Sequence, residues 1–276
     1  MTISEILKAK KEGRKLTMLT AYDAPTAEVV AAAGVDMLLV GDSLGMVVLG
    51  YPSTLPVTMD EMIHHAKAVR RGAPKSFIIG DLPLKGVQQG PRQALLSAKR
   101  FIEEAGLDAV KLEWNADAFE TTDLLVQNNV PVMAHLGLTP QSAGKGFRVQ
   151  AQSAAEAAEL VARAKEWESH KIFSLLLECV PSEVAATVTK KLRVPVIGIG
   201  AGSSCDGQVL VFHDLVGVFS KFLPKHVKRY AKLEPLMRGA VERYIKEVRA
   251  KKFPDSAHCF AMERHEHSKF KKSINS

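Results

Sequence analysis

Val40-Gly41-Asp42-Ser43-Leu44-Gly45 is the stretch of sequence that decides the fold. It follows the short apolar run Met37–Val40, which is typical of a buried strand, and it places a carboxylate and a hydroxyl at the carboxyl end of that strand. The neighbouring glycines let a ligand approach the backbone. Taken alone, this is an ordinary turn after a strand. The same construction, however, recurs at four later apolar runs, which end at Asp81, Glu113, His135 and Glu178.

The alternation of apolar runs with helical patterns predicts the fold class. Eight such alternations indicate a (β/α)8 TIM barrel with a short N-terminal helix and C-terminal helices. We place the eighth strand near Leu215 to Val218 and expect helices from about Lys225 and Leu236. The runner-up is an open doubly wound sheet. The barrel is favoured because polar groups at its strand ends converge on one pocket, whereas the outermost strands of an open sheet, at about 4.8 Å each, lie far apart.

Length and composition indicate one domain and exclude several classes of protein. The chain has 276 residues, of which 46% are hydrophobic, and a barrel of this size needs no second domain. We predict a barrel domain over residues 1–262 and a basic, disordered tail over residues 263–276. No apolar run approaches the roughly 18 residues that span a bilayer. The first residues lack a secretory or transit pattern, and the three cysteines fit no zinc or disulfide spacing, which favours the cytoplasm.

The positive net charge of +7 does not by itself indicate a nucleic-acid binder. The Lys and Arg residues are spread along the chain, aromatic residues make up only 6%, and no nucleic-acid motif is present. The densest basic run extends from Lys221 to Lys232. It is interpreted as a solvated helix face or as a surface that attracts an anionic ligand, and no nucleic-acid partner is expected.

Three carboxylates are predicted to meet at one rim of the barrel. Asp42, Asp81 and Glu113 end consecutive strands, so they are neighbours, and they repel one another unless a proton or a cation intervenes. A set of oxygen donors without Cys suits a hard ion, Mg²⁺ before Zn²⁺. The alternative is that each carboxylate merely caps a helix or pairs with a Lys.

Lys111, Glu178 and His135 are the other candidates for chemistry. Lys111 and Glu113 point to the same side of their strand, so Lys111 either holds a substrate carboxylate or, with a lowered pKa, forms a Schiff base. The apolar neighbours Leu175 and Leu177 are expected to desolvate Glu178, which suits a general base. His135 is a ligand, a base or a hydrogen-bonded residue of the barrel interior.

With these residues assembled, the sequence resembles the ketopantoate hydroxymethyltransferase family over nearly the whole chain to about Met262. The resemblance rests on a series of motifs in order: Thr20-Ala21-Tyr22-Asp23, Val40 to Met46, Ser53 to Thr58, Arg70 to Pro74, Asp81-Leu82-Pro83, Val110 to Glu113, His135 to Ser142, Leu177 to Pro181, Pro195 to Gly202, Asp206-Gly207-Gln208 and His213-Asp214.

The resemblance implies a (β/α)8 barrel that uses Mg²⁺ and transfers a one-carbon unit from 5,10-methylenetetrahydrofolate to the 2-keto acid 3-methyl-2-oxobutanoate, the first committed step of pantothenate synthesis. It implies that Asp42, Asp81 and Glu113 surround the metal, and that Glu178 is the base. It further implies that the keto acid contacts Asp42, Ser43, Asp81 and Lys111, and that the chain forms a homo-oligomer, typically a decamer.

Three segments depart from the family pattern: Leu84 to Val87, Trp114-Asn115 and the loop around Gly144 to Phe147. They bear on loop geometry and folate contacts rather than on the metal or the base. Two other reactions stay open from the residues themselves. One is a metal-dependent lyase that cleaves another 2-keto acid through the same enolate, and the other is a Schiff-base aldolase that uses Lys111.

Overall fold

The barrel predicted from the sequence is present in the computed structural model, which describes residues 1–141, 148–219 and 223–275. In this part of the chain, parallel strands pair in chain order and the last pairs with the first, which closes the ring. The strands are β1 (Leu16–Thr20), β2 (Met37–Val40), β3 (Phe77–Asp81), β4 (Ala109–Glu113), β5 (Val132–Gly137), β6 (Ser174–Glu178), β7 (Val196–Ile199) and β8 (Gly207–Leu210). The loop segment 142–147 and Lys221, which the sequence analysis named, lie outside the described residues.

Helices surround the ring and extend beyond it at the carboxyl terminus. They are α1 (Ile3–Lys11), α2 (Ala24–Ala32), α3 (Leu44–Val47), α4 (Met59–Gly72), α5 (Leu84–Val87), α6 (Pro91–Glu103), α7 (Ala118–Gln127), α8 (Ala154–Ser169), α9 (Ser182–Lys191), α10 (Phe212–Leu215), α11 (Leu233–Arg249) and α12 (Arg264–Ser273), with a short 3₁₀ turn at Ser256–His258.

Local sequence signals set the helix starts. Thr58 and Glu61 form a reciprocal capping box at the start of α4, and Ser153 and Glu156 form another at the start of α8. Each pair satisfies backbone N–H groups that the first helical turn leaves without partners. The sequence therefore fixes the point at which each of these helices leaves the loop above the barrel.

The strand side chains divide into an inner and an outer apolar cluster. Residues that alternate along β2 belong to different clusters: Leu38 and Val40 pack outward under the helices, whereas Met37 and Leu39 pack inside the ring. Ile6 and Ala9 of α1 join the inner cluster, so α1 covers the amino-terminal end of the barrel. The carboxyl ends of the strands are left to form the site.

Two sequence-based expectations about the last part of the barrel are wrong. The eighth strand is Gly207–Leu210, not a segment near Leu215, which ends the short helix α10. Gly207 and the exposed Gln208 hide the pattern of a strand, but pairing with β1 and β7 on both edges holds this segment in the ring. No helix starts at Lys225, because the basic spacing of residues 225–232 supplies no apolar face to bury.

The tail differs from the sequence-based expectation in its local structure. Residues 264–273 form α12, whereas disorder was predicted for 263–276. Every described residue of this segment is exposed, so nothing packs against the helix. The division of the chain at residue 262 stays a prediction. In the described residues, none of the helices is both long enough and apolar enough to cross a membrane.

Candidate active site

A cavity of about 630 Å³ opens at the carboxyl ends of the strands. The structure brings every candidate residue of the sequence analysis to its wall: Asp42, Ser43, Asp81, Lys111, Glu113, His135 and Glu178. Asp42 and Ser43 follow β2, while the other five lie on β3, β4, β5 and β6. A closed ring thus gathers side chains that lie up to 136 positions apart in the sequence, from Asp42 to Glu178.

Lys111 lies at the centre of the acidic group. Its Nζ is 2.8 Å from Oδ1 of Asp81 and 3.6 Å from Oε1 of Glu113, and both partners are buried with it. Burial alone lowers the pKa of Lys111, but the carboxylates of Asp81, Glu113 and Asp42 outweigh it and raise the pKa above its ordinary value. Lys111 is therefore a fixed ammonium ion.

The three carboxylates differ in how well they are compensated. Burial and the charges of Asp81 and Glu113 raise the pKa of Asp42 well above its usual range, and burial also raises the pKa of Asp81 against the pull of Lys111. Burial also acts to raise the pKa of Glu113, but the larger combined effect of Lys111 and His135 lowers it below its ordinary value. One ammonium ion thus does not balance three carboxylates, and Asp42 is the carboxyl that most readily holds a proton when no other cation is bound.

Gln141, for which the sequence predicts no role, contacts two of the three carboxylates. Its side-chain amide donates to Oδ2 of Asp42 at 3.0 Å, and its backbone N–H donates to Oε2 of Glu113 at 3.2 Å. No group of three or more His, Cys, Asp or Glu within the described ranges is arranged to hold a metal ion. Gln141 and Lys111 hold the oxygens that an ion needs.

The chemistry of the donor set nevertheless fits a hard divalent cation. Asp42, Asp81 and Glu113 supply only oxygen, and their summed charge exceeds that of Lys111, as the raised pKa of Asp42 reflects. An ion bound there competes with Gln141 for the oxygens of Asp42 and Glu113. These three carboxylates are therefore the residues of the site that could hold Mg²⁺.

His135 connects the acidic group to Glu178. Its Nδ1 lies 3.2 Å from Nζ of Lys111 and 3.4 Å from Oε1 of Glu113, while its Nε2 lies 3.4 Å from Oε2 of Glu178. Because the ammonium ion of Lys111 can only donate, neutral His135 accepts at Nδ1 and carries its proton at Nε2, toward Glu178. Burial and Lys111 lower its pKa, but Glu113 and Glu178 raise it by a larger total.

Glu178 is the acid of the cavity that remains open to solvent, with 18% of its side chain exposed. The prediction that Leu175 and Leu177 desolvate it is wrong, because both belong to the outer cluster on the opposite face of β6. Cys179 follows with a φ of +50°, a conformation that non-glycine residues seldom adopt. The backbone thus turns sharply right after Glu178.

Tyr22 holds Ser43 from behind. The two hydroxyl groups are 2.8 Å apart, and Tyr22 is fully buried. Burial raises the pKa of Tyr22, so its hydroxyl stays protonated. The sequence signal for this contact was Tyr22 at the end of the first strand, beside the predicted Asp42 site.

Comparison with known proteins gives a consistent result along the chain. A family model described as ketopantoate hydroxymethyltransferase matches residues 1–256. The chain is 51% identical to the 3-methyl-2-oxobutanoate hydroxymethyltransferase of Desulfotalea psychrophila over 94% of both chains. It is also 51% identical to the protein of that name from Moorella thermoacetica, over 94% of this chain and 97% of the relative.

Solved structures share the fold at much lower identity. A phosphoenolpyruvate phosphomutase from Streptomyces platensis subsp. rosaceus superimposes with a TM-score of 0.62 at 11% identity, covering 100% of this chain and 99% of its own. A phosphonopyruvate hydrolase, solved with oxalate and Mg²⁺, gives 0.61 at 12% identity over 100% and 97%. At these identities the likeness concerns the fold alone.

Proposed function

The chain belongs to the ketopantoate hydroxymethyltransferase family, and from this premise we propose that it transfers a hydroxymethyl group from 5,10-methylenetetrahydrofolate to 3-methyl-2-oxobutanoate. The product is 2-dehydropantoate (ketopantoate), an intermediate of pantothenate biosynthesis. The observation that carries the proposal is the convergence of Lys111, three carboxylates and Glu178 on a cavity of about 630 Å³. That volume is several times what a five-carbon keto acid fills, which leaves room for a second, larger substrate.

Lys111 and Ser43 bind the keto acid in this proposal. The ammonium ion of Lys111 attracts the carboxylate of the substrate, and Ser43, fixed by Tyr22, donates a hydrogen bond. Asp42 and Asp81 complete this side of the pocket. When Mg²⁺ is bound at Asp42, Asp81 and Glu113, it supplies Lewis-acid stabilisation of negative charge on the keto oxygen, worth several kcal/mol.

Glu178 removes the proton from C3 of the keto acid. Its carboxylate is reached from the cavity, and Oε2 of Glu178 lies 3.4 Å from Nε2 of His135. A positioned general base contributes about 10²–10⁴ in rate. The resulting enolate carbon forms a C–C bond to the one-carbon unit of the folate, whose bonds to N5 and N10 both break. Water supplies the hydroxyl oxygen, and one proton from water and the one held by Glu178 go to the nitrogens of the departing tetrahydrofolate.

The decisive experiment combines product analysis with isotope exchange. Wild-type enzyme given both substrates and Mg²⁺ should form ketopantoate, whereas an enzyme without this activity refutes the proposal and a cleaved keto acid supports the lyase instead. Glu178→Gln should lower deuterium exchange at C3 by at least 10²-fold while keto-acid binding persists. Glu183→Gln, the same change at an exposed site just beyond, should exchange at the wild-type rate.

The proposal includes a homo-oligomer, with a decamer expected. In its support, α11 has no buried residue and exposes a stripe of Met237, Val241, Tyr244, Ile245 and Val248. Contiguous apolar surface of this kind marks interfaces.

All three cysteines are free thiols, in keeping with a reducing cytoplasm.

A further inference from the structure

The cavity has a second wall that the proposed chemistry leaves unused. The side formed by β7, β8 and β1 presents apolar side chains and hydroxyls, among them Ile199, Val209, Val211 and Thr20. One ionisable carboxyl lies on this wall, that of Asp214 at the start of the chain segment after β8. His213-Asp214 is one of the family motifs in the sequence, but an eighth strand near Leu215 would follow it, so no role is predicted for Asp214 from the sequence.

Asp214 is a buried carboxyl with an unpaired oxygen in the part of the chain that the structure describes. The residue is 6% exposed, and its Oδ1 has no partner among the described residues. Arg229, the cation whose charge lowers the pKa of Asp214, donates to the carbonyl of Phe219 at 2.9 Å. Burial raises the pKa of Asp214 to about 6, against the opposing charge of Arg229, so the carboxyl is ionised at neutral pH. An ionised buried group without a donor is costly unless a ligand completes it.

The missing partner is a neutral or cationic N–H donor rather than the keto acid. A second anion beside Asp214 only adds repulsion. A 2-amino-4-oxo pyrimidine ring, in contrast, presents a ring N–H beside an exocyclic amine, the same forked pair by which a guanidinium binds a carboxylate. Its flat faces suit the apolar side chains on the same wall.

The position of Asp214 relative to the ionic group matches that of a second substrate. Tyr22 is adjacent to both, since its hydroxyl is 2.8 Å from that of Ser43 and the charges of Asp214 and Asp42 both raise its pKa. The ring of His213, beside Asp214, packs on Tyr22 with centroids 5.4 Å apart. Tyr22 thus contacts both Ser43, in the keto-acid pocket, and His213, the neighbour of Asp214, so a ring bound at Asp214 lies near that pocket.

We propose that Asp214 anchors the pterin ring of 5,10-methylenetetrahydrofolate by accepting hydrogen bonds from its ring N–H and its 2-amino group. This assignment rests on the proposed function and names the residue that selects the one-carbon donor. Asp214 takes no part in deprotonating the keto acid, which is the role of Glu178 at the end of β6.

Steady-state kinetics of Asp214→Asn test the anchor. Loss of a charge-assisted pair should raise the KM for 5,10-methylenetetrahydrofolate about 10- to 100-fold. The KM for 3-methyl-2-oxobutanoate and deuterium exchange at its C3 should stay within twofold of wild type. Asp117→Asn, the same change at an exposed position on the same face of the barrel, should alter none of these quantities.

A ligand-side experiment adds a measurement on the wild type that does not depend on how the variant folds. Wild type should use the donor analogue with a 2-methyl in place of the 2-amino group at least tenfold less efficiently, and Asp214→Asn should discriminate less than twofold between the two donors. Equal use of both donors by wild type, or an unchanged folate KM in the variant, overturns the anchor. If wild type makes no ketopantoate at all, the failure belongs to the proposed function.

Discussion

At the scale of single residues, the ionised carboxyl of Asp214 destabilises the folded chain. Its pKa of about 6 in the fold lies above the value of about 3.9 in an unfolded chain, so the unfolded state releases the proton first as pH rises. The cost is absent below pH 4, grows between pH 4 and 6, and is complete above pH 6. After allowance for screening from the open cavity, it amounts to about 1–2 kcal/mol.

Asp214→Asn should therefore be more stable than wild type by about 1–2 kcal/mol at pH 7.5 and equally stable at pH 4. Urea unfolding at the two pH values measures the difference. A variant that is less stable than wild type at pH 7.5 shows that the carboxylate has a stabilising partner, contrary to the structure. Such a gain in stability with a loss of folate affinity is typical of binding residues.

Lys111 is expected to act through its charge and not as a nucleophile. Since the surrounding carboxylates raise its pKa, no neutral amine is available for a Schiff base. Borohydride added with 3-methyl-2-oxobutanoate should leave the mass of the enzyme unchanged. Lys111→Arg should keep more activity than Lys111→Gln, which leaves buried carboxylates uncompensated and should lower kcat/KM by about 10²-fold or more. A trapped lysine adduct supports the aldolase alternative.

At the scale of elements, the end of β5 determines where Glu178 lies. Gly137 has a φ of +97°, and a Cβ added there would lie 2.2 Å from the carbonyl oxygen of Glu178. The same carbonyl accepts a hydrogen bond from the N–H of Leu138 at 2.8 Å. The absence of a side chain at Gly137 thus lets the two strands meet directly behind the base.

Gly137→Ala should displace Glu178 and lower C3 exchange at least tenfold, because a small misplacement of a base is costly. Gly90→Ala is the matched control, since Gly90 has a similar φ of +93° but open space around it. Both variants should lose about 1–3 kcal/mol of stability from the backbone alone. Equal exchange in the two variants rules out a special role for the close approach at Gly137.

The alternation of side chains along β4 shows what could be predicted from sequence. Period-two spacing placed Lys111 and Glu113 on one face, and the structure has both in the cavity. In β8, by contrast, Gly207 and Gln208 carry little strand propensity, and the segment is a strand because its neighbours in the ring pair with it. The misplaced eighth strand is the reason that no role was predicted for Asp214. Gln141 was not predicted because no local pattern relates it to Asp42, which lies 99 positions away in the sequence.

At the scale of the whole molecule, the exposed face of α11 is expected to join copies of the chain. Val241→Glu places a charge in the middle of the apolar stripe and should shift the mass in solution from a multiple of 30.1 kDa toward a single chain. Arg243→Glu, on the opposite side of the same helix, should leave the assembly intact. Light scattering after gel filtration measures both, and a wild-type chain of 30.1 kDa contradicts the homo-oligomer.

Helix α1 covers the amino-terminal end of the barrel, and this determines the route by which substrates enter. Ile6 and Ala9 fill that end, so molecules reach Lys111 and Glu178 from the side of the strand ends where Asp214 also lies. A folate bound at Asp214 would therefore block the route by which the smaller keto acid enters. The enzyme should therefore follow an ordered kinetic mechanism, in which the keto acid binds first and ketopantoate is released last.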